Sequence, residues 1–301
     1  CTSTAKQRPE GGWLWKISGN GLSHPSYLFG TYHGTYDILY QYTDSIPELH
    51  QAFNACSQFA GESETTSKPN PAQVGVAIKL PKDTTYADLL NKEDFHFLDS
   101  IVRQSLKSPL NKVYIKPNFL ALILGEIEKG KKLVDTGYSQ SRIDSMKSQV
   151  MDIALEKKAK EKGLTIVGLE GIFDAFVSEK SNLKKEADEL ISDLREDDEI
   201  SPLSFVNTLS DVYRTQNMKS LIDFEVKVDS IFRTSPKLTE IGKRIREDLL
   251  KRRNLNWMNK IPELMKAQPT FIAVRVRHLP GKDGLIALLL EKGYQVEPIG
   301  L

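Results

Sequence analysis

Short apolar runs separated by longer segments of helical period are the feature that most limits the folds open to this chain. The runs predict strands at Trp13–Ile17, Ser26–Gly30, Ser57–Ala60, Thr165–Leu169, Thr270–Val276 and Gln295–Ile299, and the intervening periodicity predicts helices packed on them. The expected class is therefore α/β in the mixed, α+β sense: a central sheet flanked by many helices, with a largely helical middle section. One helix starts near Asp44 or Ser45, with Pro47 in its first turn and Ile46, Leu49 and Phe53 as its buried stripe. A second covers Asn91–Leu106, with Phe95, Leu98, Ile101, Val102 and Ser105 at helical spacing. A third, Asp144–Lys162, stops at Gly163 and feeds the strand Thr165–Leu169. From Phe173 to Ala267 almost everything reads helical, including the charge-rich Lys180–Glu199, a solvated helix face, with breaks marked by Pro202, Pro236 and Pro269. No repeat, low-complexity tract or sharp composition shift divides the chain, so 13–301 reads as one domain behind a flexible tether over 1–12.

Charge and cysteine content exclude several functions. The 41 Lys+Arg balance 40 Asp+Glu, and the one basic-looking run, Lys243 to Arg253, is interleaved with Glu247 and Asp248, so nucleic acid is not an expected partner. No apolar stretch approaches the roughly 18 residues of a membrane-spanning helix. Two cysteines, Cys1 and Cys56, are too few for a disulfide framework or a Cys-rich zinc site. Cys56 falls inside a helical pattern and reads as a small core residue. Cys1, followed by the polar stretch Thr2 to Gly12, resembles the start of a mature bacterial lipoprotein. On that reading acyl chains on Cys1 hold the domain at the cell envelope, outside the cytoplasm, and are its only link to a membrane. An arbitrary boundary that falls on Cys is the alternative.

Four of the apolar runs are each followed, within four residues, by a side chain of metal-ligand type: His33, Glu62, Glu170 and His278. In an open α/β sheet the crevice beyond the carboxyl ends of the strands is where ligands bind, because loops converge there on a rigid frame. Two imidazoles and two carboxylates in such a crevice suit a divalent transition metal, Mn, Co or Zn, better than Mg²⁺ or Ca²⁺. Each histidine taken alone is more often a hydrogen-bonded structural residue. His24, His50 and His96 sit in a turn or on helix patterns and receive no function.

The words around these residues narrow the reading. Gly30-Thr31-Tyr32-His33, Asp44-Ser45-Ile46-Pro47-Glu48, Glu62-Ser63-Glu64, Gly168-Leu169-Glu170, Arg253-Asn254 with Trp257, and the ending from Phe271 through His278-Leu279-Pro280-Gly281 to Val296 together resemble the TraB/GumN family, which includes the Tiki-type metalloproteases. The resemblance implies a mixed α/β domain whose two Gly-x-x-His motifs and acidic residues form a metal-dependent site for hydrolysis of a peptide or related acyl bond. By that resemblance His33, His278 and Glu62 are metal ligands, Glu62 and Glu170 share the general-base and orienting roles, and Arg253 donates to the developing oxyanion. Asn254 completes the Arg-Asn pair on the substrate side, and Asp152 is placed where similar sequences carry an Asp.

The second Gly-x-x-His motif departs from the pattern, because Arg275 stands at the glycine and the segment reads Arg275-Val276-Arg277-His278. Strand alternation predicts both arginines on one face and His278 on the other. Three roles for the arginines stay open at this level: neutralising Glu62 or Glu170, gripping a substrate carboxylate or phosphate, or decorating an edge strand. Arg275 thereby sets an attenuated metalloprotease-like hydrolase against a catalytically impaired module of the same family that binds a peptide or small acyl ligand.

Overall fold

The computed structural model describes residues 11–32, 47–64, 71–135, 137–147, 150–171, 182–195 and 209–300. Residues 1–10 of the tether, His33 and the helix start at Asp44–Ile46 lie outside the described residues, while Gly11 and Gly12 at the tether's end are buried, Gly11 accepting from the Met218 N–H at 2.8 Å. Two compact units are present: one formed by Cys1–Thr66, Met146–Gly171 and Ser201–Leu301, the other by Ser67–Ser145 and Ile172–Ile200.

The first unit carries a six-stranded mixed sheet. Its strands are β1 (Leu14–Ser18), β2 (Ser26–Thr31), β3 (Gln58–Gly61), β4 (Thr165–Gly168), β5 (Thr270–Arg275) and β6 (Gln295–Pro298), in the order β4-β3-β5-β2-β1-β6. The four strands β4, β3, β5 and β2 run parallel, while β1 pairs antiparallel with both β2 and β6. Parallel strands covered on both faces must be apolar throughout, which is why Phe271, Ile272, Ala273 and Val274 of β5 and Phe59 and Ala60 of β3 are all buried. The helix Pro47–Asn54 buries Leu49, Ala52 and Phe53. The Phe53 ring meets that of Phe271 at 5.1 Å, and Phe59 stacks on Phe271 at 6.3 Å. The helix Met151–Glu161 buries Met151, Leu155 and Ala159, then ends at Gly163, whose φ of +73° lets the chain turn back into β4. A second aromatic group stacks Tyr213 between Trp13 and Tyr32 at 5.3 and 5.1 Å, and the Tyr213 hydroxyl donates to the carbonyl of Gly30 at 2.7 Å.

Two expectations need correcting. The single helix Asp144–Lys162 is two helices, Gln140–Lys147 and Met151–Glu161. Val150 leaves helical dihedrals (φ −53°, ψ 134°) and packs, half-buried, against the core, and Met151 opens the buried stripe of the second helix. The strand Thr270–Val276 stops at Arg275, because Val276–His278 form a 3-10 turn. The alternation predicted for Arg275, Arg277 and His278 therefore does not hold.

The second unit has its own core of Tyr86, Leu98, Val102, Leu110, Leu120, Leu124, Ala187, Leu190 and Ile191. The helix Lys92–Leu106 is capped by Asn91, whose side chain accepts from the Asp94 N–H, and ends in left-handed Lys107 (φ 55°). The helix Leu183–Arg195 is charged on one face and buries Ala187, Leu190 and Ile191 on the other. Among the described residues no helix is long and apolar enough to cross a membrane.

Candidate functional site

Neighbouring parallel strands deliver the two carboxylates. Gly61 of β3 pairs with Gly168 of β4, and the ladder continues past both strands: Leu169 N–H donates to Gly61 O and Glu170 N–H to Glu62 O, each at 2.9 Å. Glu62 and Glu170 thus leave the sheet side by side. Gly168 permits this closeness, since a β-carbon there meets Glu64 N at 2.9 Å and Glu170 O at 3.0 Å.

Between the carboxylates lies a guanidinium. A π-helical segment, Ile245–Lys251, leads into the helix Arg252–Trp257, which buries Arg253, Asn254 and Trp257. Arg253 Nε–H donates to both oxygens of Glu170 at 3.0 and 3.1 Å, and Nη2 bridges Glu170 Oε1 at 2.5 Å and Glu62 Oε2 at 2.6 Å. Trp257 Nε1–H adds a donor to Glu170 Oε2 at 3.0 Å.

His278, in the turn after β5, is 1% exposed. Asn254 donates its amide to the carbonyls of His278 and Asp283 at 3.2 and 2.8 Å, so its oxygen is left as the acceptor for His278 Nδ1 at 2.7 Å. That network assigns the proton to Nδ1 and the lone pair to Nε2. The Nε2 atom faces Arg253 Nη1 at 3.3 Å and Glu62 Oε1 at 3.8 Å, and the Trp257 ring lies 4.5 Å from the imidazole.

The charges are fixed by these contacts. Burial pushes the Glu62 carboxyl up, but Arg275 and Arg253 with the Arg275 N–H outweigh it and hold the group at about 2. Burial carries His278 the other way, down to about 3, so the imidazole is neutral at neutral pH. Arg253, buried and pulling against that burial through Glu170 and Glu62, keeps its proton more firmly than an ordinary arginine. All five of its N–H groups are committed, the remaining Nη1 contact being Leu249 O at 3.5 Å. An oxyanion donor role for Arg253 requires one of these bonds to break.

Glu62, Glu170, Arg253, Asn254 and His278 therefore come together as a group, while His33 lies outside the described residues. Asn254 orients His278 rather than facing outward. Arg275 sits at the rim: its N–H donates to Glu62 Oε1 at 2.8 Å, its guanidinium is 3.9 Å from Glu62 Oε2, and 48% of its side chain is exposed. The glycine that the family resemblance leads one to expect at position 275 is not required for space, since the Arg275 side chain leaves outward from ordinary dihedrals of φ −55° and ψ 136°. Gly30 of the first motif differs, because a β-carbon there meets Val276 Cγ2 at 2.9 Å. Arg277 is away from the group, paired with Glu225 of the helix Met218–Phe232 at 2.5 and 2.8 Å, because the 3-10 turn rotates it there. Asp152 occupies the first turn of the helix Met151–Glu161, where an acid complements the helix dipole. Trp257 is the contributor that pattern alone left without a role, although its spacing from Arg253, four residues along one helix, is the signal for a shared face.

A divalent metal fits these described residues poorly. The oxygens of Glu62 and Glu170 and the Nε2 of His278 already converge on the Arg253 guanidinium, and among the described residues no group of three His, Cys, Asp or Glu side chains is disposed to hold an ion. A doubly charged ion 4 Å from that guanidinium meets a repulsion of about 8 kcal/mol at an effective dielectric near 20.

In comparisons with known proteins, the family model described as the TraB/PrgY/gumN family matches residues 13–298. Neither the curated proteins nor the solved structures give a match.

Proposed function

The chain belongs to the TraB/PrgY/gumN family, and from that premise we propose that it is a ligand-binding member of the family, taking a peptide or small acyl compound by its carboxylate. The observation that carries this reading is the commitment of every Arg253 N–H to Glu170, Glu62, His278 and Leu249. Glu62 and Glu170 are both already paired with Arg253, and a carboxyl held at about 2 is a weak base. What remains open to an incoming anion is Arg275, half-exposed at the rim, whose planar fork suits a carboxylate.

The second reading is a metal-dependent hydrolase of peptide or related acyl bonds. It is favoured by the meeting of Glu62, Glu170 and His278, with the Nε2 lone pair of His278 turned toward both acids' guanidinium. It requires an ion to displace that guanidinium, with His33 completing the ligand set. In either case we propose that the protein works outside the cytoplasm, held at the cell envelope by an acyl group on Cys1. Incorporation of labelled fatty acid into the native protein, and its loss in the Cys1→Ser form, is the expected outcome there.

One experiment separates the two activities. Protein purified without chelators is assayed for bound Mn, Co and Zn, then for peptide cleavage after reconstitution with each, and for binding of peptides with a free or an amidated carboxyl end. The binding reading expects no stoichiometric metal, no cleavage, and binding that amidation or Arg275→Gln weakens by about tenfold or more. One equivalent of metal together with cleavage establishes the hydrolase instead.

A further inference from the structure

The second unit holds a surface that the family site does not use. Two of its segments, 71–82 and 107–124, contain five lysines (Lys79, Lys82, Lys107, Lys112 and Lys116) in a chain whose total formal charge is only +1; the acids beside them include Asp83, next to Lys82, and Asp99, which accepts from the Leu110 N–H at 2.7 Å. Backbone bonds hold the two segments together. Leu80 N–H donates to Tyr114 O at 2.9 Å, Lys116 N–H donates to Ile78 O at 2.8 Å, and Lys79 bridges Ile115 in antiparallel fashion. The Lys116 ammonium reaches the carbonyl of Val76 at 3.2 Å.

The same segments expose apolar side chains that a solvated face ordinarily avoids. In the helix Pro71–Ile78, whose only polar side chain is Gln73, Val76 is 81% exposed. Tyr114 is 57% exposed, and Leu122, in the helix Pro117–Asp135, is 43% exposed. Lys79, Lys82, Lys107 and Lys112, in the same two segments, are exposed as well.

We infer that this face docks onto an anionic lipid surface, with the helix Pro71–Ile78 and Tyr114 lying at the headgroup level and the lysines on the phosphates. Exposed apolar side chains within a run of lysines match the two attractions that hold an interfacial element, burial against acyl chains and the field of anionic headgroups. An exposed tyrosine suits the boundary, its ring apolar and its hydroxyl wet. A second copy of this chain offers the same lysines and is repelled, which selects the anionic surface over self-association. This contact is additional to any acyl group on Cys1, and it positions the second unit rather than merely tethering the chain.

The test uses the full chain carrying Cys1→Ser, so that no acyl group contributes, sedimented with vesicles of phosphatidylcholine mixed with phosphatidylglycerol and with vesicles of phosphatidylcholine alone. The expected result is partition into the mixed vesicles only, weakening as salt is added. Each of Lys82→Gln and Lys112→Gln weakens partition by up to about fivefold, and Val76→Asp abolishes it. Arg275→Gln, which tests the ligand site, leaves it unchanged. All four positions are exposed, and an unaltered circular dichroism melt verifies that each variant is folded. Equal partition into both vesicle types, no partition into either, or a protein that instead self-associates through Val76 with vesicle binding untouched by Val76→Asp overturns the inference.

Discussion

Arg253 is the residue on which the site's electrostatics turn, since two carboxylates at 11% side-chain exposure depend on it for charge compensation. Arg253→Met leaves both acids buried without their cation and is expected to cost about 3–5 kcal/mol in urea unfolding, whereas adding Glu170→Gln to that variant recovers part of the loss. A double variant no more stable than Arg253→Met alone means that the pair is not coupled. Acid titration offers a second check, and two groups act in different windows. Glu62 has a folded value of about 2 against an ordinary 4.5, so its contribution of about 3 kcal/mol is fully present above pH 4.5 and is lost as the pH falls toward 2. His278 has a folded value of about 3 against an ordinary 6.5, so the unfolded chain binds the proton first and stability declines as the pH falls from 6.5 toward 3. His278→Gln should therefore flatten the melting temperature between pH 6.5 and 5, while the steep loss below pH 4.5 persists. An unchanged slope in the upper window removes His278 from this account.

At the level of elements, the frame of the site was legible in the sequence and its internal wiring was not. All six strands fall within one residue of the apolar runs, and the signal is clearest in the parallel β3 and β5, which are buried almost throughout and have no polar face to blur it. The placement of Glu62, Glu170 and His278 just past β3, β4 and β5 follows from the same runs. Arg253's partners are a different matter: they lie 83 and 191 residues away in sequence, and which face of the helix Arg252–Trp257 meets the strand ends depends on the π-helical segment before it. Arg277 was misplaced for a local reason, since a 3-10 turn abolishes the two-residue alternation from which its face was inferred. The closeness of β3 and β4 beyond their ends also rests on a single backbone feature. Gly168→Ala puts a β-carbon against the Glu64 and Glu170 backbones, which cannot yield as a flexible side chain would. The expected cost is about 1–3 kcal/mol in urea unfolding, because Glu170 is displaced from Arg253. Full stability in Gly168→Ala contradicts the close-approach argument.

For the whole molecule, the decisive fact is that two separate cores are built from interleaved stretches of one chain. The strand β4 and Glu170 belong to the first unit, yet the stretch Ser67–Ser145, which belongs to the second, intervenes between them and β3 with Glu62. Pairing β3 with β4 thus closes a loop of about a hundred residues, at an entropic cost of about 4 kcal/mol if that loop is unstructured, and less if the second core has already contracted it. Each core also has the means to unfold as its own cooperative unit, so the protein as a whole need not follow a two-state transition. Leu98 lies in the second core and Leu155 in the first, both fully or nearly fully buried, at 0% and 3% exposure. Leu98→Ala should destabilise by about 2–5 kcal/mol, and hydrogen exchange should show the loss in the helices Lys92–Leu106 and Leu183–Arg195 while protection of β3 and β5 is retained; Leu155→Ala should show the converse. Equal loss of protection across both cores in either variant indicates instead that the chain unfolds as a single cooperative unit.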